Sequence, residues 1–254
     1  MLILSKQNES IKALARLKNR AKRLEKGLFT VEGEHLCEEA FKEGFLTRLV
    51  VDKKKLEKYN KLVSSFSDED IIITSEEILQ KLCSTKTPQG IVGVCKIPSF
   101  ENMPMRRLVG LNAVQDPGNV GSILRTMDAA DFDCLIIDEK CADPFSEKAV
   151  RASMGAIFRV PVLAKKDLKD FIKELHGYDI LAASLDGENF YKTSFNIDKF
   201  LILIGNEGQG LSEEIKGLAN KKILLPMKGG AESLNAACAM SIISYDVLRR
   251  EEEQ

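Results

Sequence analysis

The stretch Phe200–Asn235 opens with F-L-I-L-I-G-N-E-G-Q-G-L-S and closes with K-I-L-L-P-M-K-G-G-A-E-S-L-N, and it decides the fold. Two apolar runs, Phe200–Ile204 and Ile223–Leu225, are typical of buried parallel strands. Each run ends abruptly in a polar, glycine-rich turn. Ligands of open α/β sheets bind beyond the carboxyl ends of the strands, so both turns are predicted to line a site. The small and apolar residues of Ala236–Arg249 then predict a helix that is buried on most sides.

Strands and helices alternate along the rest of the chain, which predicts an α/β protein. The 254 residues are enough for two modest domains. Ile97–Arg106 contains two prolines and no periodicity, which indicates a linker, placed at residues 99–106. We therefore expect a small α/β domain at residues 1–98 and a second α/β domain with a parallel sheet at residues 107–254.

The composition limits the class of protein. No apolar run approaches the length of a membrane span, and the first residues lack a secretory signal. The six cysteines form no CxxC pair and mostly lie in apolar contexts, which indicates buried thiols in a reducing, cytoplasmic environment. Neither of the two histidines joins a ligand cluster, so no metal is expected.

Positive charge is concentrated near the N-terminus, although the net charge is only −1. Ser10–Glu25 has apolar residues at helical spacing and bases on the other face, which predicts an amphipathic helix. Local basic clusters attract phosphates, so this helix is a candidate RNA contact. The alternative is an ordinary solvated face. The candidate RNA-binding side chains are Lys12, Lys18, Arg20 and Arg23.

A third turn, Gln115–Gly121, follows a predicted strand and leads into a helix that contains Arg125. Asp116 or Asn119 could cap this helix. Arg125 lies among apolar residues, where an arginine needs a carboxylate or an anionic ligand. Glu207 lies in the turn after Phe200–Ile204. It is the partner expected for Arg125 if that turn meets the turn Gln115–Gly121 in space. Considered by itself, this turn could also be an ordinary connection between a strand and a helix, without a functional role.

Other site chemistries are not supported. The glycines of Gly205–Gly210 do not have the spacing of a dinucleotide fingerprint, and no P-loop motif is present. The ligand is therefore not expected to be a dinucleotide or a triphosphate. A nucleotide-dependent oxidoreductase is left as an alternative.

The three turns together resemble the ordered motifs of the SpoU/TrmH branch of the SPOUT RNA methyltransferases. The first is Asn119 with Arg125 six residues on, and the second is Gly205-Asn206-Glu207-Gly208. The third is Leu225-Pro226-Met227 followed by Ser233-Leu234-Asn235. The segment Lys148–Arg159 and the N-terminal portion also resemble the family, so that the resemblance covers nearly the whole chain.

The resemblance implies a small ribosomal-protein-like substrate-binding domain and a C-terminal SPOUT α/β trefoil-knot domain with a parallel sheet. It implies transfer of a methyl group from S-adenosyl-L-methionine to a ribose 2′-hydroxyl of RNA. The implied cofactor-binding residues are Gly205, Asn206, Leu225, Met227 and Leu234. The implied catalytic residues are Asn119, Arg125, Glu207, Ser233 and Asn235.

The resemblance also implies a homodimer through the C-terminal domain and ribosomal RNA as the substrate. Transfer RNA and a relative that binds RNA without catalysis are the alternatives. Arginine is often assigned as the general base in this family, yet a guanidinium hardly deprotonates in proteins. We therefore expect Arg125 to stabilise the developing alkoxide and a neighbouring phosphate, with Glu207 orienting it.

Overall fold

The computed structural model describes residues 1–101, 103–164 and 167–253, and the chain divides into two compact units. Unit 1 consists of Met1–Ser99 and Phe145–Phe158, and unit 2 consists of Phe100–Pro144 and Arg159–Gln254. Residues 145–158 thus belong to unit 1, although they lie within the predicted second domain. Asn102 of the predicted linker lies outside the described residues.

Unit 1 is built on a four-stranded sheet with the order β1-β4-β2-β3. Strand β4 runs antiparallel to β1 and β2, whereas β3 is parallel to β2. The strands are β1 (Leu28–Glu32), β2 (Leu46–Asp52), β3 (Ile71–Thr74) and β4 (Ile91–Lys96). The first five helices are α1 (Glu9–Ala15), α2 (Arg20–Lys26), α3 (Glu34–Lys42), α4 (Asn60–Val63) and α5 (Glu76–Leu79).

The predicted helix Ser10–Glu25 is interrupted. Asn19 adopts an extended conformation, and its side chain accepts a hydrogen bond from the backbone N–H of Lys22 at the start of α2. The break shifts the helical phase, so Arg23 turns inward and is only 5% exposed, while Leu24 is 63% exposed. The prediction of one continuous amphipathic helix is wrong because it ignored the capping preference of asparagine.

The segment Lys53–Ser64 forms little regular helix. The chain forms one short 3-10 turn at Lys53–Lys55 and then α4. Between them Tyr59 is buried, and its hydroxyl donates to the backbone oxygen of Gln89 at 2.6 Å. Tertiary packing of this aromatic ring overrides the weak local preference for helix.

Unit 2 contains a six-stranded sheet with the order β10-β8-β9-β5-β6-β7, and every pair is parallel. This agrees with the predicted parallel sheet. The first strands are β5 (Arg107–Leu111), β6 (Cys134–Ile137) and β7 (Val162–Ala164). The last three are β8 (Asp179–Asn189), β9 (Phe200–Ile204) and β10 (Lys221–Leu224).

The described residues form five further helices. They are α6 (Pro117–Ala129), α7 (Glu147–Ser153), α8 (Leu168–Glu174), α9 (Glu213–Lys216) and α10 (Ala236–Glu252). Helix α7 belongs to unit 1, and α6 and α10 pack together in unit 2. Within the described ranges, no helix combines the length and the apolar character needed to cross a membrane.

Candidate functional site

The turns that follow β5, β9 and β10 lie at the same edge of the sheet because all strands of unit 2 are parallel. After β5 the chain turns through Ala113, which has a positive φ of 57°. Asp116 then caps α6, since its side chain accepts from the N–H of Gly118 at 2.6 Å. Pro117 occupies the first turn of α6, where its missing N–H costs nothing. Of the two cap candidates, Asp116 is the one used.

The turn after β9 closes on itself. The backbone groups of Asn206 and Gly210 exchange two hydrogen bonds of 2.9 Å. A Cβ atom at Gly205 would lie 2.1 Å from the carbonyl carbon of Gly210, which no side chain can tolerate. Gly205 is therefore required for the closure of its own loop, a reason independent of any ligand.

Two asparagines join this loop to the turn after β5. The side-chain amide of Asn206 donates to the backbone oxygen of Ala113 at 2.8 Å. In the other direction, the side-chain oxygen of Asn112 accepts from the N–H of Ser212 at 2.9 Å. The first two motif loops are therefore held in a fixed relation by neutral hydrogen bonds.

A chain of side chains then connects all three motif loops. The carboxylate of Glu207 accepts from the side-chain amide of Asn119 at 2.7 Å. The side-chain oxygen of Asn119 accepts from the amide of Asn235 at 2.9 Å. Asn235 in turn caps α10, because its oxygen accepts from the N–H groups of Ala237 and Cys238. Three of the five predicted catalytic residues thus form one network.

Hydrogen bonds keep Glu207 ionised. Partial burial by itself raises the pKa of its carboxyl group. Donation from Asn119 and from backbone N–H groups, including those of Asp116 and Gln115, outweighs burial and lowers the pKa below its ordinary value. A carboxylate with a lowered pKa is a weak proton acceptor at neutral pH.

Arg125 does not pair with Glu207, and this expectation is wrong. Its side chain lies on the exposed side of α6, not in an apolar setting. Across the described ranges it makes no hydrogen bond or ion pair. Glu207 is occupied by Asn119 and the backbone of the neighbouring loop. An exposed guanidinium of this kind is available to an anion from outside the chain.

A cleft of about 460 Å³ opens at this edge of the sheet. All five predicted cofactor-binding residues line it, together with Glu207 and Ser233 of the predicted catalytic set. Asn119 and Asn235 do not line the cleft; hydrogen bonds connect Asn235 to Asn119, and Asn119 to Glu207, which does line it. The volume lies within the range of small-ligand sites in proteins.

Several residues that line the cleft were not predicted. They come from β8 and from α9, and they are Ser184, Leu185, Asp186 and Lys216. No sequence motif includes these residues. The three from β8 lie where this strand departs from regular pairing with β10. Gly187 is an isolated glycine inside β8, a feature that can mark a bulge.

The predicted RNA-binding side chains of unit 1 differ in their surroundings. Arg23 donates to the backbone oxygens of Leu17 and Lys18 at 2.6 and 2.8 Å, which makes it a structural residue. Lys18 donates to the oxygen of Cys83 at 2.8 Å, and Lys12 pairs with Glu9. Arg20 is exposed.

Two further observations concern cysteines and metals. All six cysteines are free thiols, and five are buried, whereas Cys238 is exposed on α10. Burial raises the pKa of Cys83 and Cys141 to about 12, which makes these thiols unreactive. In the part of the chain that the structure describes, no group of His, Cys, Asp and Glu residues is arranged to hold a metal ion.

The sequence matches the SpoU rRNA Methylase family over residues 106–245 and the MRM3-like substrate binding domain over residues 8–93. It is 31% identical to the 23S rRNA (guanosine(2553)-2'-O)-methyltransferase RlmP of Bacillus subtilis (strain 168), with 95% of this chain and 96% of that protein covered. It is 30% identical to the 23S rRNA (uridine(2479)-2'-O)-methyltransferase of Streptomyces viridochromogenes, with 93% and 88% covered.

The structure is similar to the crystal structure of the SpoU methyltransferase AviRb from Streptomyces viridochromogenes in complex with the cofactor AdoMet. The TM-score is 0.87 and the identity 27%, with 97% of this chain and 99% of that chain covered. The sequence match covers more than half of the chain and includes all three motif loops. The chain therefore belongs to the SpoU rRNA methylase family.

Proposed function

We propose that this protein is an RNA methyltransferase that transfers a methyl group from S-adenosyl-L-methionine to a ribose 2′-hydroxyl of ribosomal RNA. The observation that carries the proposal is the cleft lined by the middle of β8 and by the loops at the carboxyl ends of β9 and β10. It is lined by all five residues that the family motifs assign to the cofactor. The activities of the two rRNA methyltransferases above and the cofactor of AviRb support the same function.

The residues of the cleft fit this cofactor. S-adenosyl-L-methionine has a flat base and no phosphate, and the cleft combines apolar side chains with glycine-rich backbone. Leu225, Met227 and Leu234 would hold the nucleoside, and the loop of Gly205 and Asn206 would hold the remainder. When bound, the cofactor supplies an electrophilic methyl group on a sulfonium.

The polar residues would act on the RNA. Arg125, exposed and without an internal partner among the described residues, would bind a phosphate and stabilise negative charge that develops on the 2′-oxygen. Glu207 stays ionised and holds Asn119, rather than Arg125, in place. Asn235 keeps the start of α10 next to Asn119, so that the network would position the loops, with Ser233, around the ribose.

Arg125→Ala tests the proposed reaction centre. Removing one contact to a developing oxyanion typically lowers the rate by about 100- to 1,000-fold. We expect this loss in methyl transfer to ribosomal RNA, measured with cofactor labelled in the methyl group. Binding of S-adenosyl-L-methionine and the melting temperature should change little, because Arg125 supports no internal contact that the structure describes.

The outcomes separate the candidate functions. Methylation of transfer RNA but not of ribosomal RNA would favour a transfer RNA 2′-O-methyltransferase. Cofactor and RNA binding without any methyl transfer by the unaltered protein would favour a non-catalytic relative. Near-normal turnover by a folded Arg125→Ala variant would contradict the role of Arg125. A rate that rises steeply with pH up to the titration of arginine would make Arg125 the base instead.

We also propose that the protein works in the cytoplasm as a homodimer through α10. This helix is buried on most sides, but Cys238, Ile242 and Tyr245 form an exposed stripe along it. Tyr245→Asp should place charge in the two-fold contact and yield monomers, whereas Tyr191→Asp, at a similarly exposed tyrosine outside α10, should not. Light scattering at micromolar concentration measures the mass, and a monomeric unaltered protein that is fully active would refute the dimer.

A further inference from the structure

Two aspartates flank strand β6, and each bonds the neighbouring strand β5 near one of its ends. Asp133 precedes β6, and its carboxylate accepts from the backbone N–H groups of Arg106 and Arg107 at 2.7 and 2.9 Å. Asp138 follows β6 and bonds the turn at residues 112–116, which we name the β5 turn. Because β5 and β6 are parallel, the two carboxylates lie at opposite ends of the same strand pair.

The carboxylate of Asp138 is buried and accepts three hydrogen bonds. One oxygen accepts from the side-chain amide of Asn112 at 2.8 Å and from the backbone N–H of Ala113 at 3.0 Å. The other oxygen accepts from the N–H of Lys140 at 3.0 Å. Loss of this carboxylate would leave two donors of the β5 turn without their acceptor, which is costly inside a protein.

The bonds of Asp138 act on a backbone conformation that alanine does not favour. Ala113 has a φ of 57°, in the left-handed region, where residues other than glycine are strained. Its N–H donates to Asp138, and its carbonyl oxygen accepts from the side-chain amide of Asn206 at 2.8 Å. The strained residue is therefore held on both sides.

The conformation of Ala113 sets the direction of the backbone that follows it. The N–H groups of Gln115 and Asp116 both donate to the carboxylate of Glu207, each at 3.3 Å. These bonds need the β5 turn to face the loop after β9. Asp138 is thus connected to Glu207 through the backbone of the β5 turn.

A second connection runs through Asn112. While its amide donates to Asp138, its side-chain oxygen accepts from the N–H of Ser212 at 2.9 Å. Ser212 caps α9 directly after the loop that carries Glu207. Asp138 therefore reaches this loop by two routes, although it does not itself line the cleft.

We propose that Asp138 is a positioning residue for the reaction centre, and that it acts by holding Ala113 and Asn112 so that the β5 turn stays bonded to Glu207. The proposal rests on the function proposed above, which gives Glu207 its part in methyl transfer. Asp138 touches no reacting group, and its effect passes through the β5 turn.

Substitutions of Asp138 test the role through kcat. Asp138→Ala removes all three bonds, whereas Asp138→Asn keeps two of them when its amide oxygen faces Asn112 and Ala113. We expect Asp138→Ala to lower kcat for methylation of ribosomal RNA by about 10- to 100-fold, because small displacements of a reaction centre have effects of this size. Asp138→Asn should retain most of the activity.

Asp133→Ala is the matched control. Its side chain is 7% exposed, and it also removes a carboxylate from two donors next to β5, but at the end of the strand pair away from the cleft. It should lower the melting temperature and leave kcat nearly unchanged. A loss of tenfold or more in Asp133→Ala or in Asp138→Asn would overturn the proposal.

The carboxyl pKa of Glu207, followed by NMR on protein with ¹³C-labelled glutamate, reports on the β5 turn without RNA or cofactor. Burial raises this pKa, but donation from Asn119 and from backbone N–H groups outweighs burial. Asp138→Ala should raise the pKa of Glu207, since fewer donors would then stabilise the ionised form. Asp138→Asn and Asp133→Ala should leave it unchanged.

Ala113→Gly separates positioning from a general loss of stability. Glycine adopts a positive φ without strain, so the β5 turn depends less on Asp138 in this background. Asp138→Ala should therefore lower kcat by a smaller factor when residue 113 is glycine. An equal factor in both backgrounds would overturn the proposal.

The remaining outcomes are also distinct. An unchanged pKa of Glu207 in folded Asp138→Ala would overturn the proposal. If that variant does not fold, Asp138→Ser replaces it with the same expectations, because its hydroxyl is too short to accept both bonds from the β5 turn. Absence of RNA methylation by the unaltered protein would instead refute the proposed function, while the pKa comparison would still test how Asp138 holds the turn.

Discussion

At the scale of single residues, the network through Asn119 distinguishes this site from a simple pair of arginine and glutamate. The amide of Asn119 is buried between an ionised carboxylate and a second amide. It must therefore donate on one side and accept on the other. An amide does both, whereas a carboxylate only accepts.

Asn119→Asp should accordingly destabilise the protein in a manner that depends on pH. At neutral pH the new carboxylate would face Glu207 across the former 2.7 Å bond, and losing the donor alone costs about 1–3 kcal/mol. Glu207 has a lowered pKa, so its stabilising contribution is present above about pH 4.3 and is lost as the pH falls through its folded pKa. Both effects make the difference in melting temperature from the unaltered protein larger at pH 7 than at pH 4.

Asn119→Ala is the control, because it removes the same donor without adding charge. Its deficit in melting temperature should be smaller at pH 7 and should depend less on pH. Equal deficits for the two variants at both pH values would show that charge repulsion at Glu207 plays no part.

At the scale of elements, the break between α1 and α2 changes the meaning of the basic segment. Arg23 stabilises this break by donating to the ends of the preceding turn, while Arg20 on the same helix points to solvent. A sequence with helical periodicity does not distinguish these two arginines. RNA contact by this segment is left as a proposal that rests on its exposed bases, such as Arg20.

Arg23→Ala and Arg20→Ala form a matched pair. Loss of Arg23 leaves the buried carbonyl oxygen of Leu17 and the partly buried one of Lys18 without this donor, and should cost about 1–3 kcal/mol of unfolding free energy. Arg20→Ala should change stability by less than about 0.5 kcal/mol but weaken RNA binding at low salt. Urea unfolding and filter binding measure the two effects, and equal destabilisation by both variants would contradict the assignment.

At the scale of the whole molecule, residues 145–158 make unit 1 discontinuous in sequence. Phe158 is fully buried, and its ring lies 5.8 Å from that of Phe29, which also contacts Phe145 at 5.2 Å. Ala149, Val150 and Ile157 of the same segment are buried as well. A cut near residue 99 therefore does not separate two self-sufficient halves.

A truncated protein that holds only residues 99–254 should consequently fold poorly, because these apolar side chains would lose the sheet of unit 1. We expect low soluble yield and strong binding of a hydrophobic dye. In the full chain, Phe29→Ala should lower stability by about 3–5 kcal/mol, whereas Phe41→Ala, at a phenylalanine that is 42% exposed, should cost much less. A monodisperse truncated protein with cooperative unfolding would show that the segment folds without unit 1.

The sequence by itself determined the parallel sheet, because β9 and its neighbours are apolar runs that only a sheet covered on both faces accepts. Through its resemblance to the family motifs, the sequence also predicted five residues that line the cleft. Only the tertiary structure decided the partners of these residues. Asn119 rather than Arg125 holds Glu207, and Phe145–Phe158 joins unit 1, because such contacts depend on which distant segments meet in space. The bulge in β8 between Ala182 and Glu188 was not predicted for the same reason, since a bulge is defined by the pairing of its strand, here with β10.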